Sequence, residues 1–339
     1  MTKTSILTIL FASLAILSCR KDKELPLSPE TDAECYEFPF LNISYFSDSR
    51  FQYQAPHFNP NNGNEFVYFY MDHEQGEYLL MKHDLSTGTN TEIISSNYKI
   101  YRQPKWSRKG WIAFTRAPDY VDHIFMVKEN GDSLTQVTQN VGNYDPAWDS
   151  TGENLYWQHS PNLAIPYYLL TKPLHSSLPP DTVMHTSGEN HGRATHNDIS
   201  IENRIICRTS INNDLSLGYA SLEDFNFTEL IDLADSDLIG LTGLTWSNND
   251  QTVYFTVANK GLYKLSVNSG QYTKLINHCD SKDYKNISCS PDGTKMIAER
   301  VDRHLEKNEA GNPTGNIIEN SSIYMIDLST LEETKINLD

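Results

Sequence analysis

Two imidazoles five positions apart, His191 and His196, follow Glu189 in one short stretch of the chain. Neutral imidazoles suit a divalent metal ion. Arg102, Tyr144, Asp145, Asp283 and Tyr284 stand at or near the corresponding point of other segments. A metal on the histidines would place a charged centre among these residues. Without one, the same seven residues are the polar wall of a ligand-binding mouth with no catalytic member and no cofactor, and this is the reading expected. Asp145, Asp149 and Glu153 form a second group of oxygen donors of the kind calcium takes, but their spacing fits no EF-hand loop and a solvated turn is expected.

Residues so far apart meet only if a repeated element brings them together. The chain repeats one unit six times: a bulky or apolar residue, a turn residue four or five places later, then a short apolar strand. The bulky positions are Phe58, Trp106, Trp148, Ile199, Trp246 and Cys289, separated by 48, 42, 51, 47 and 43 residues. The turn residues are Gly63, Gly110, Gly152, Asn203, Asp250 and Gly293, types that accept a left-handed backbone. No segment sustains a 3.6-residue apolar period, and the runs between turns are short and rich in β-branched and aromatic residues. A strand-only period of this length predicts an all-β chain, a six-bladed β-propeller of four-stranded antiparallel blades.

Each lone sheet would leave both faces wet, whereas a closed ring packs each face on a neighbour. The blades are expected to begin near residues 55, 103, 145, 197, 243 and 286, within one domain spanning 36–339. Loops entering the inner strands gather at the mouth of the central channel, which is why the seven candidate residues belong together. Phe38 to Tyr45 is strand-like without a partner in any repeat, and is expected to pack near the last blade and help close the ring.

The N-terminus is read separately. Lys3 precedes an apolar run from Ile6 to Leu17, too short to span a bilayer as a mature helix. Ile16-Leu-Ser-Cys19 resembles the lipobox of bacterial lipoproteins, which implies a signal peptide over residues 1–18 and acyl chains on Cys19. Residues 19–35 then read as a polar, Pro-containing tether. Removal of the first 18 residues takes Lys3 alone among the charges, moving the balance from −17 to −18. So acidic a chain is a poor partner for nucleic acid or anionic lipid, leaving the acyl chains as its membrane attachment. Several acyl chains on one residue exceed what stable anchoring needs.

Four further cysteines, Cys35, Cys207, Cys279 and Cys289, lack metal-binding spacing. An envelope location permits disulfides, and three pairings are open. Cys207 and Cys289 fall in apolar strands, where a free thiol behaves as a small hydrophobe.

The segment Ile287-Ser-Cys-Ser-Pro-Asp-Gly-Thr-Lys-Met-Ile-Ala298 resembles the repeat of the TolB-like propellers, as do, more loosely, Trp106–Gly110, Trp148–Gly152, Trp246–Asp250 and His123–Thr138. The resemblance runs from 55 to 336 and implies a binding or scaffolding role with another envelope protein as partner, while the lipobox sets the expected location, lipid-anchored in the cell envelope at the outer membrane, facing the periplasm or the cell surface. The other reading, by resemblance to propeller-fold pectate-type lyases, is a metal-dependent polysaccharide lyase or hydrolase with its glycan at the channel mouth, which implies His191 and His196 as ligands of a divalent metal, Ca or Mn, and Arg102 as base or uronate clamp. Gly131-Asp-Ser-Leu134 spells the serine block of the GDSL esterases, yet it falls where a propeller turn needs Gly, Asp and Ser for their backbone geometry.

Overall fold

A computed structural model describes residues 24–25, 35, 46–48, 50–140, 142–161, 168–185, 198–211, 214–233, 238 and 240–338. Six sheets follow one another along the chain, each built from four consecutive antiparallel strands. The strands that start them, innermost in each blade, are Phe51–Asn59, Ile100–Trp106, Asn143–Trp148, Asp198–Ile199, Leu241–Trp246 and Lys282–Cys289. Among the described residues the one helical element is a single 3₁₀ turn, Pro118–Tyr120. This is the six-bladed β-propeller that the repeat predicts.

The burial pattern explains why six sheets form one body. Among the described residues the buried apolar side chains fall into six clusters, and each joins two neighbouring blades. Val67, Phe69 and Leu80 of blade one meet Trp106, Ile112 and Phe114 of blade two. Trp111 and Ile124 of blade two meet Trp148 and Trp157 of blade three. The same holds between blades three and four, four and five, and five and six. Phe58, Phe66 and Tyr68 of blade one pack on Ile297, Ile323, Ile336 and Leu338 from the end of the chain, which closes the circle. Trp106, Trp148 and Trp246 are each less than 10% exposed, filling the wedge between blades as their repetition implies.

Gly110, Gly152, Asn203, Asp250 and Gly293 all take the left-handed backbone expected of them, with φ between 54° and 73°. Gly63 does not. Blade one turns two residues earlier, with Asn59 pairing to Asn62 and the Asn59 side chain accepting from the Asn61 N–H at 2.9 Å. Gly63 therefore lies inside the second strand, Asn62–Asp72. The residue after each wedge caps its own turn: Ser107 accepts from the Trp111 N–H at 3.0 Å, Asp149 from Glu153 at 3.0 Å and Ser290 from Lys295 at 3.0 Å. Ser200 and Ser247 do the same for Glu202 at 3.2 Å and Asn249 at 3.4 Å. Such turns hold the wedge-bearing strand in register with the strand that returns from it.

Closure uses the N-terminal segment as well. The expected closing strand, Phe38 to Tyr45, lies outside the described residues, as do most of residues 19–35. Directly after it, Phe46–Asp48 pairs in parallel with Ile317 to Glu319 of blade six. Glu24–Leu25 adds a fifth, parallel strand to the outer edge of blade five. Cys35 is bonded to Cys279, leaving Cys207 and Cys289 as free thiols and resolving the three pairings into one. Between blades one and six, the Gln52 side chain donates to Glu319 O at 3.0 Å and accepts from the Ser321 N–H at 2.7 Å.

Candidate functional site

The inner strands run from one mouth of the central channel to the other, and their residues line it in layers. The layer just before the wedge consists of His57, Lys105, Ala147, Asp198, Thr245 and Ser288. All but Ala147 line a cavity of about 140 Å³ at the far mouth, ringed by Phe58, Trp106, Trp148, Ile199, Trp246 and Cys289. These side chains bond to one another across blades. Lys105 Nζ lies 3.5 Å from Asp198 Oδ1. Asp198 Oδ2 accepts from Thr245 Oγ1 and from the Trp246 N–H, each at 3.0 Å. His57 Nδ1 accepts from the Trp106 N–H at 3.3 Å, and Ser288 Oγ accepts from the Phe58 N–H at 3.2 Å. Enclosure by the channel wall, with Lys105 nearby, lowers the His57 pKa to about 3, so the ring is neutral at physiological pH. Burial, followed by Asp198 and Asp292, pushes the Cys289 thiol up to about 12, leaving it a poor nucleophile.

At the opposite mouth, where the inner strands begin, a second cavity of about 220 Å³ is lined by Arg102, Gln103, Lys105, Asp145, Pro146, Leu241, Thr242, Lys285 and Asn286. Here the strands are bulged: pairing slips between Gln54 and His57, Tyr101 and Lys105, Tyr144 and Ala147, Leu241 and Gly243, and Lys285 and Ser288. Ala55, Arg102, Asp145 and Asn286 take positive φ values of 53°, 69°, 50° and 46° at these bulges. A bulge re-aims side chains at the rim of a sheet, and its recurrence turns one residue per blade toward the lumen. The neutral groups of the wall bond to protein partners. Gln103 donates to Pro56 O at 2.8 Å and Ile287 O at 2.9 Å, Thr242 to Tyr284 O at 3.0 Å, and Asn286 to Glu299 at 2.7 Å.

Of the residues predicted for the mouth, the structure brings together Arg102, Tyr144 and Asp145. Arg102 Nε lies 3.9 Å from Asp145 Oδ1, and its guanidinium stands 5.6 Å from the Tyr144 ring centroid. Asp283 and Tyr284 are elsewhere. Both are essentially fully buried, because the blade-six inner strand starts well before its bulge and carries them into the interface with blade five. Asp283 is bonded to His278 at 2.8 Å, and burial keeps the His278 pKa below its ordinary value. The Tyr284 hydroxyl donates to Glu333 at 2.5 Å; burial, then that carboxylate, raises its pKa. His191, His196 and Cys19 lie outside the described residues.

The acidic group Asp145, Asp149 and Glu153 does not converge. Asp145 faces the near mouth, Asp149 caps a turn at the far one, and Glu153 reaches Lys109 at 3.1 Å. No group of three or more His, Cys, Asp or Glu side chains among the described residues is placed to hold a metal ion. Gly131 and Ser133 have φ values of 88° and 60° in an exposed turn, as backbone geometry requires. Sequence reasoning missed the layer before the wedge. Its signal was available: the position preceding the wedge is polar in five of six repeats.

No family model matches the chain, and no curated protein matches it in sequence. Solved structures do match its fold. TolB from Acinetobacter baumannii aligns with TM-score 0.54 and 15% identity, covering 66% of this chain and 54% of that one. The chain thus spans about half the length of that TolB. A putative TolB from Agrobacterium tumefaciens aligns with TM-score 0.55 and 14% identity over 72% of this chain and 88% of that one. An oligogalacturonate lyase in complex with manganese gives 0.52 and 10%, over 84% and 76% respectively. Fold and channel define the class: a six-bladed β-propeller with TolB-like propellers among its structural neighbours. At such low identities the likeness is one of fold, which hosts unrelated activities.

Proposed function

We propose that the chain is a lipid-anchored, non-catalytic module of the cell envelope that binds another envelope protein through one face of its propeller. The observation that carries this reading is the mutual pairing of Lys105, Asp198 and Thr245 across the channel, with His57 and Ser288 bonded to backbone N–H groups. The one of these hydroxyls that meets a carboxylate, Thr245 on Asp198, meets one already held by Lys105 and by the Trp246 N–H. Groups committed to one another stiffen the ring, and a stiff ring presents its loops as a fixed surface. The TolB-like neighbours support the same reading.

An acyl group on Cys19 would sit five residues before Glu24–Leu25, which lies on the outer edge of blade five. That edge would face the bilayer and leave the channel mouths open to the side. No helix among the described residues is long and apolar enough to cross a membrane. Affinity capture with the full chain from detergent-solubilised envelopes tests the reading. One specific protein is expected, recovered with the wild type and lost when the propeller is unfolded. Near-stoichiometric Mn, Ca or Zn in the purified chain, lost in His191→Ala together with turnover of a polysaccharide, would replace it with the lyase or hydrolase reading.

A further inference from the structure

The geometry points to a second property of the near mouth: its cavity is a binding site for a small carboxylate that carries a hydrogen-bond donor beside the acid group. Arg102, Lys105 and Lys285 come from blades two and six and meet at a wall whose one acidic residue, among the described residues, is Asp145. With Asp198, which Lys105 also faces, three cations stand against two carboxylates, an excess of one positive charge among the described residues in a chain whose net charge is −17. Three cations gathered where the rest of the surface repels anions make a local well for one, and partial burial strengthens it. Lys105 is shared with Asp198 further down the channel. Lys285, half-buried, has no ion pair or side-chain hydrogen bond among the described residues, so its ammonium remains for a ligand.

Asp145 narrows the choice of anion. It is only 7% exposed, and its Oδ2 has no hydrogen-bond partner among the described residues. A buried acceptor left unpaired is costly, so it selects for a ligand that brings a donor. The same carboxylate repels a second negative charge, which disfavours phosphate against a monoanion. Because the neutral wall groups Gln103, Thr242 and Asn286 bond to protein, recognition falls to the cations and Asp145. An α-hydroxy monocarboxylate satisfies both halves: its acid group faces Lys285 and Arg102, and its hydroxyl donates to Asp145.

This inference shares a face with the proposed function, but its test needs no protein partner. Calorimetric titration of the full chain in detergent with lactate, acetate, inorganic phosphate and glycerol is the experiment. Lactate is expected to bind more tightly than acetate, and both more tightly than phosphate, with no binding of glycerol. Lys285→Gln should weaken lactate by about tenfold, the scale of one lost charge-assisted contact. Asp145→Asn should erase the preference for lactate over acetate while acetate binding persists, a pattern that misfolding could not give. Absence of heat with either carboxylate, phosphate binding as tight as lactate, or unchanged lactate affinity in Lys285→Gln would overturn the assignment. Where capture yields a partner, its release by lactate would show that the natural carboxylate belongs to that partner. Lactate binding without release would show a free acid.

Discussion

Lys105 and Asp198 meet across the channel from blades two and four, Nζ to Oδ1 at 3.5 Å, past the methyl group of Ala147 in the intervening blade. Their side chains are 6% and 16% exposed, so the pair belongs with buried rather than surface ion pairs. Removing one member of such a pair strands the other charge away from water, at roughly 3–5 kcal/mol. Asp198→Asn also weakens the acceptor for Thr245 and the Trp246 N–H. Its urea midpoint should fall accordingly, and Lys105→Met in the same chain should recover part of the loss. A midpoint equal to the wild type would mean that the lumen is solvated enough to make the pair irrelevant.

The blades were legible in the sequence because a wedge and a turn must recur wherever sheets pack face to face. Trp106, Trp148 and Trp246 announce three interfaces by size alone, and Gly110, Gly152 and Gly293 announce three turns by backbone freedom. Gly63 misled because Asn59 and Asn62 make a tighter turn before it. The near mouth was half legible. Arg102 and Asp145 stand four and three places before their wedges, but Asp283 and Tyr284 stand six and five before theirs, a level at which Ile100 of blade two is buried too, and it is Lys285 and Asn286 that reach the rim. Bulges shift register by one residue without changing composition, so alternation alone could not say which neighbour faces the lumen.

Stability should fall with acid because of His57. Its folded pKa is about 3, against about 6.5 in an unfolded chain, so the unfolded state binds the extra proton between those values. The effect is absent above about 6.5 and grows as the pH drops toward the folded value, with a slope of at most about 1.4 kcal/mol per pH unit. His278, also held low by burial, acts in the same direction. Urea midpoints between pH 7 and pH 4 (the range in which a free imidazole takes up its proton) should decline less steeply in His57→Gln than in the wild type. Parallel slopes would show that His57 is hydrated enough to protonate in place.

The thiols sort by position. Cys207 is buried and Cys289 largely so, and burial pushes each pKa up to about 12. An aromatic disulfide reagent at neutral pH should label neither in the native chain and both after denaturation without reductant. Cys35 and Cys279, 244 residues apart, should appear in one disulfide-linked peptide pair. Cys35→Ser should cost about 2–5 kcal/mol, as loss of a native crosslink commonly does. Cys279→Ser should cost the same, and reductant should then have no further effect. A larger loss in one variant than in the other would give that thiol a role beyond the bond.

Trp148 separates packing from hydrogen bonding at a single wedge. Its ring fills the interface between blades two and three beside Trp111 and Trp157, and its Nε1 donates to Lys105 O at 2.9 Å. Trp148→Phe keeps most of the apolar bulk but removes the donor, which should cost about 1–2 kcal/mol for a buried carbonyl left short of a partner. Trp148→Ala removes the bulk too and should cost about 3–5 kcal/mol, as large-to-small core changes do. Because Lys105 is the next residue in the lumen, either change should also loosen the Lys105–Asp198 pair. Combined with Asp198→Asn, Trp148→Phe should therefore cost less than the two separate losses together. Strict additivity in that cycle would show that the wedge and the channel pair stabilise the ring independently.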